Sequence, residues 1–324
     1  MINIRKSLST KLSLSILLLA APIFIISLGL LFTQSRHVIR REAVGRANSV
    51  LSATMHRVSR NLSTIETATN ANAWLIAKNL QPDSILSLSN RIVRLNPHID
   101  GCSISTEPNI FPKFGRYFSA YTVREPDTIT TVIEEQYEYF EKIWYKKPFV
   151  DGKACWVVYY DESDSLALTL DGMIASYSKP IYDDEGRFIA VISTDRSLLR
   201  LSSVVTSEEK PYTHAYFMMV DSEGRYFIHP DSTRLFKQTI FNGVDPRRQS
   251  DLIALGHEMT KGNKGSMAAV IDGAPCLVCY QPVPGTTWSL ALVCPDSDVL
   301  EGYNRLTYIL LPLLIVGLLI IMLL

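Results

Sequence analysis

The sequence has no net charge: its 324 residues carry 32 Lys and Arg against 32 Asp and Glu. A nucleic-acid partner generally needs a basic face, so this balance argues against that class. Five cysteines are too few, and odd in number, for a disulfide-stapled scaffold. Glycine and proline stand at 16 each, which excludes collagen-like and low-complexity chains. The chain lacks a Gly-x-Ser-x-Gly elbow, a phosphate loop and a dinucleotide fingerprint. His257-Glu258-Met259-Thr260-Lys261 opens like a zinc-protease helix but has Lys where the second His must stand. Cys276 and Cys279 have Cys-x-x-Cys spacing, yet residues three apart in a strand point to opposite faces. His229 and Asp231 flank Pro230 and read as a turn rather than a metal pair. No catalytic constellation, metal site or cofactor is expected.

The overall neutrality hides an asymmetry. Residues 1–46 hold seven bases and one acid, leaving a mildly acidic body. Leu12 to Thr33 runs 22 residues without a charge, enough to cross a bilayer as a helix. Arg5, Lys6 and Lys11 precede it, which places residues 1–11 in the cytoplasm. The run exceeds a signal-peptide core of about 7–15 residues and reads as an uncleaved helix. Thr307 to Leu324 is a second uncharged run, of 18 residues, with no basic flank to close it. This suggests a chain cut from a longer one. The expected topology is two-pass: spans at 12–33 and 306–324, with residues 34–305 outside the cytoplasm.

Beyond the first span, Val44, Leu51, Val58 and Ile65 recur every seven residues, with Ala47, Met55 and Leu62 between them. This heptad-like seam predicts one helix from about 34 to 80. It suits an amphipathic helix packed on its own domain. It equally suits a dimerisation stalk, and a homodimer is expected. After residue 97 the pattern changes. Alternation predicts strands at 99–105, 117–123, 155–160, 173–181 and 188–194, then at 215–220, 225–229, 265–271, 275–282 and 287–293. Helices are expected at Thr130–Tyr145, Ser197–Thr206 and Gln249–Lys261. Asp183-Asp184-Glu185-Gly186 and Asp221-Ser222-Glu223-Gly224 each join two strands. The same device in both halves points to an α+β fold: one long helix followed by two antiparallel-sheet modules.

Several stretches together resemble the double Cache sensor, two PAS-like modules behind a long helix. They are Ile143-Trp144-Tyr145, Trp156-Val157-Val158-Tyr159-Tyr160-Asp161, Ser178 through Gly186, and Ile189 through Leu198, a strand ending in Asp195 before a helix. In the second module Val220 to Gly224, Ile228 to Asp231 and Trp288-Ser289-Leu290 fit as well. The resemblance covers about residues 34–305. It implies packing helices to residue 95, a membrane-distal module at 96–200 and a membrane-proximal one at 201–305. Relatives bind small ligands, often amino acids or carboxylates, in the distal module. The amino-acid-binding subset implies a site at Tyr137, Lys142, Trp144, Tyr145, Tyr177 and Asp195. Lys142 stands where that subset has Arg, which keeps the charge but loses the planar fork that grips a carboxylate.

The physics of such a site is simple. Lys142 and the Trp144 indole serve a ligand carboxylate; Asp195 pairs with an ammonium that Tyr145 and Tyr177 face with their rings. The same residues also suit core aromatics and a helix cap at Asp195. The resemblance implies the sensory part of a bacterial receptor, not itself an enzyme, that binds a small amino acid, carboxylate or amine. Its signal leaves through the second span. The implied output resembles that of SpoIIE-type serine phosphatases, although histidine kinases, cyclases and chemoreceptors share the sensor. A non-signalling membrane tether remains open.

Overall fold

The computed structural model describes residues 8–160 and 172–323. The first seven residues of the expected cytoplasmic N-terminus, and Asp161, lie outside the described residues. Helix α1 (Leu8–Lys78) is continuous for 71 residues, about 105 Å at 1.5 Å per residue. Pro82 then opens α2 (Pro82–Leu95) at a position where its missing N–H is harmless. The chain continues through β1 (Gly101–Thr106), β2 (Ser119–Arg124), β3 (Ile129–Ile133), α3 (Ile143–Asp151), β4 (Cys155–Tyr160), β5 (Met173–Tyr182), β6 (Phe188–Ser197) and α4 (Leu198–Thr206). The second half holds β7 (Tyr216–Val220), β8 (Tyr226–Ile228), α5 (Ser250–Thr260), β9 (Gly265–Ile271), β10 (Ala274–Pro282), β11 (Ser289–Pro295), α6 (Asp296–Val299) and α7 (Glu301–Leu323).

The strands form two antiparallel sheets. The first has six strands in the order β3-β2-β1-β6-β5-β4, the second five in the order β8-β7-β11-β10-β9. The two acidic turns repeat each other bond for bond. Asp183 Oδ1 accepts the Glu185 and Arg187 N–H groups while its Oδ2 takes Arg187 Nε. Asp221 does the same for Glu223 and Arg225. Gly186 and Gly224 complete the turns at φ 76° and 81°, where a side chain is strained.

The seven-residue seam of α1 is buried within the chain itself. Ala47, Leu51, Met55, Val58 and Leu62 pack with Phe217, Leu290, Leu292 and Cys279 of the second sheet and with Leu198 and Leu201 of α4. From Ile65 to Ile76 the same stripe joins α2 in covering the first sheet, against Cys102, Ile104, Ala190 and Ile192. The seam is therefore a core contact and is not available to pair two copies. Trp156 of β4 marks the junction: its Nε1 donates to Glu66 of α1 at 2.7 Å, and its ring meets Trp288 of the second module at 5.9 Å.

One expected element is absent. Thr130–Tyr145 is not a helix. Its β-branched start pairs as the edge strand β3, and the rest wraps back through a short 3-10 turn at Tyr139–Glu141 before α3 begins. Val132, Tyr137, Phe140 and Trp144 share a side of the sheet because the chain folds around it, so their helix-like spacing is coincidental. Cys276 and Cys279 do fall on opposite faces, in different cores.

Near its start α1 exposes Leu18, Leu19, Ile23, Phe24, Ile25, Ile26, Leu30 and Leu31. Among the described residues it is the one helix long and apolar enough to cross a membrane. Helix α7 lies beside it, with Phe32 and Tyr303 edge to face at 6.0 Å. Leu51→Ala empties a site that is 1% exposed and is expected to lower stability by about 2–5 kcal/mol. Ser63→Ala, on the exposed face of α1, is expected to change it by less than about 0.5 kcal/mol. Urea denaturation of the two variants checks both.

Candidate ligand-binding site

The site is built on the alternation of β6. Ala190 and Ile192 point into the core beneath α1 and α2, and Thr194 shares a 2.6 Å hydrogen bond with Thr69 of α1. Val191, Ser193 and Asp195 therefore point to the opposite face. The strand register arranges that face in three rows. One runs Val123, Gly101, Asp195, Ser176, Val157. The next runs Val132, Tyr121, Ser103, Ser193, Ser178, Cys155. The third holds Ser119, Ser105, Val191 and Pro180, with Glu134 beside Ser119 through its N–H to the Ser119 carbonyl.

The centre of this face is polar and buried. Ser103, Ser105, Ser119, Ser176, Ser178, Ser193, Glu134 and Asp195 are all at most 8% exposed. Ser105 pairs with Ser119 at 2.7 Å and Ser178 with Ser193 at 2.8 Å. Ser176 donates to Asp195 at 2.5 Å and Ser193 at 3.5 Å. The Ser119 hydroxyl donates to Glu134, and so does that of Tyr137, at 3.3 Å. Apolar clusters flank this strip: Tyr117, Tyr139, Trp144, Tyr145, Val157 and Val191 on one side, Tyr121, Val123 and Ile174 on the other. Burying hydroxyls and carboxylates in mid-sheet is unfavourable unless they have partners. A core strand chosen for stability alone would carry Val or Ile there.

Four of the six expected site residues share this face. Trp144 and Tyr145 are buried in the aromatic cluster, and the Tyr145 hydroxyl donates to the Thr106 carbonyl at 3.2 Å. Burial raises the pKa of the Tyr139 and Tyr145 hydroxyls above that of a free tyrosine. Tyr137 is half-buried against Glu134, and Asp195 is 2% exposed. Asp195 is not the cap of α4: the Ser197 hydroxyl accepts the Arg200 N–H instead. The other two residues lie elsewhere. Lys142 is exposed at the head of α3, where its carbonyl accepts the Lys146 N–H at 2.9 Å. Tyr177 pairs with Thr194, so it points to the α1 side and accepts from Asn70 Nδ2 at 3.3 Å. Sequence reasoning missed Glu134 and the serine rows. Reading Val132 and Glu134 with period two would have put both on the face of Asp195.

The two sheets behind one helix match the sequence profile of the Cache domain over residues 35–303. The chain belongs to the Cache-domain family. No curated protein matches the sequence. Solved structures share the fold at low identity. The extracellular domain assigned to the histidine kinase mmHK1S-Z3 is 20% identical, with a TM-score of 0.65 over 83% of this chain and 98% of that one. The ligand-binding domain of the Pseudomonas fluorescens chemoreceptor CtaA, solved with L-isoleucine, is 18% identical, with a TM-score of 0.59 over 82% and 98%. That of the Campylobacter jejuni chemoreceptor Tlp3, solved with 4-methylisoleucine, is 13% identical, with a TM-score of 0.57 over 81% and 94%.

In this Cache domain the site strand ends at a buried ion cluster. Asp100, 1% exposed, accepts Arg200 Nη1 at 2.6 Å, Arg196 Nη1 at 3.2 Å and the Ser197 N–H at 3.0 Å. Arg200 Nη2 reaches the Arg124 carbonyl at 3.3 Å, and the Arg124 guanidinium closes the end of α2 on the Val93 and Asn96 carbonyls. One carboxylate thus joins β1, β6 and α4, the helix that leads to the second module.

Gly101 lies beneath the site carboxylate. A Cβ there would sit 2.8 Å from Asp195 Oδ2 and 3.0 Å from the Tyr121 hydroxyl. Gly101→Ala is expected to displace Asp195 and lower stability by about 1–3 kcal/mol, a loss that urea denaturation measures.

Proposed function

We propose that this Cache protein is the extracytoplasmic sensor of a transmembrane receptor, and that its distal module binds a small molecule bearing an ammonium group. The polar strip at the centre of the first sheet carries the reading. It places Asp195, Glu134 and five or more hydroxyls among tyrosine rings on one buried face. Carboxylates and hydroxyls accept from an ammonium, and aromatic faces attract it. Lys142 lies at the surface, so this face favours an amine end over a carboxylate end. The two structural relatives solved with L-isoleucine and with 4-methylisoleucine support small amino-group ligands.

The exposed apolar start of α1 and the neighbouring α7 support a two-pass arrangement with residues 34–305 outside the cytoplasm. The signal then leaves along α7 to a cytoplasmic output. A serine phosphatase is one such output; the relatives above include a histidine kinase and chemoreceptors. Homodimer contact would use the polar face of α1, a groove lined by Ser59, Ser63, Thr67 and Ala71.

The test is thermal melting of the full chain in lipid nanodiscs against amino acids, organic acids and amines. A ligand at about a hundred times its dissociation constant adds about 2.7 kcal/mol, or about 5–10 °C for a body of this size. An amine or amino acid is expected to give that shift, and Asp195→Asn to remove it while the protein stays folded. A folded sample that responds to no member of the panel would overturn the reading.

A further inference from the structure

We infer that the chain carries a second ligand site, separate from the distal module: a groove between α4 and the outer edge of the second sheet that takes a small organic acid, one carboxylate on an apolar body.

The groove has a volume of about 570 Å³, and Leu199, Arg200, Lys210, Phe217, His229 and Leu235 are among its walls. It lies on the α1 side of the sheet, where Phe217 packs with the stripe of α1. The opposite face is the second module's counterpart of the polar strip, and it is filled. There Met218, Val220, Ala291 and Val293 meet Leu255 and Met259 of α5.

The charges bordering the groove are of one sign. Arg200 and Lys210 line it, and no Asp or Glu among the described residues does. Arg200 shares the carboxylate of Asp100 with Arg196, so that cluster keeps a surplus of positive charge. Lys210 Nζ donates to the Thr206 carbonyl at the end of α4, at 2.7 Å. An ammonium has three donors, and this bond uses one of them. The neighbouring acids are engaged or exposed: Glu208 pairs with Arg57 at 2.6 Å, Asp231 with Arg234 at 3.3 Å, and Glu209 faces solvent.

His229 supplies an independent mark. The Asp231 N–H donates to its Nδ1 at 3.0 Å, which leaves the ring proton on Nε2. The side chain is 6% exposed, and its burial and the nearby Arg234 lower its pKa. The ring is therefore neutral, with Nε2–H as a donor. No atom among the described residues accepts from it. A donor on so buried a side chain normally has a partner, and a carboxylate oxygen supplies one. The turn at His229-Pro230-Asp231 thus fixes the tautomer that an anion needs.

The remaining walls select the rest of the ligand. Leu199 is 63% exposed, and Leu235 is half-buried. An inorganic anion leaves both uncovered, while a hydrocarbon body removes them from water. An amine would meet Lys210 as a like charge.

The experiment is isothermal titration of the full chain in nanodiscs, with empty nanodiscs as the blank. The probes are hexanoate, benzoate, their amides and n-hexylamine. At least one acid is expected to bind about tenfold or more tighter than its amide and than the amine, the scale of one hydrogen bond to a charged group. Lys210→Met keeps the apolar stem and is expected to weaken the acid by about tenfold or more, while Lys210→Arg retains binding. His229→Asn keeps an acceptor for the Asp231 N–H and removes the Nε2 donor, with an expected loss of about two- to tenfold. If that variant fails to fold, the two Lys210 variants decide alone. Binding of neither acid would overturn the site. So would an amide or amine that binds as tightly, or acid binding that Lys210→Met leaves unchanged. None of these outcomes bears on the distal module, whose reading rests on other residues.

Discussion

The architecture depends on one constraint: the apolar stripe of α1 must be covered along more than thirty residues, from Ala43 to Ile76. A helix of that length cannot bury such a stripe alone. Two sheets cover it in succession, the second-module sheet up to Leu62 and the first-module sheet from Ile65. The two cores are thus neighbours on a single rod rather than separate domains on a linker. Trp156, held by Glu66 and touching Trp288, fills the joint between them.

The site has the opposite energetic character. Its face of the first sheet carries serines and two carboxylates where a structural core would carry branched aliphatics. Burial of such groups is tolerated when each finds partners, and here the hydroxyls pair across the strands. The Asp100 cluster lies at the end of the same strand. Its arginines hold the carboxylate of Asp100 and the carbonyls that end α2. Removing one partner from such a cluster leaves an uncompensated charge, so the strand end, the α2 terminus and α4 stay in register.

Much of this was legible in the sequence, and the limits have physical causes. Period-two alternation marked ten of the strands, and the two Asp-x-Glu-Gly turns marked the internal repetition, because both signals are local. The heptad stripe showed that a face of α1 is buried but not what buries it, since a sheet and a second helix demand the same apolar residues. Thr130–Tyr145 misled for a related reason: residues that converge on one cluster mimic helical spacing when the chain wraps around it. That error hid Glu134. Lys142 and Tyr177 were placed by resemblance, and their orientation depends on where α3 starts and on which parity of β5 faces α1. Neither is readable from spacing alone.

The alternation of β6 separates two kinds of inheritance. From Ala190 to Asp195 its even-numbered residues belong to the contact with α1 and α2, its odd-numbered ones to the polar face opposite. Substitution at Ser193 or Asp195, or at the facing Ser103 and Ser176, changes the polarity of that face without touching the contacts that α1 and α2 make on the other. Such a face can change its chemistry while the scaffold stays intact. The fold can therefore persist among relatives whose sequences have diverged to a fifth identity or less.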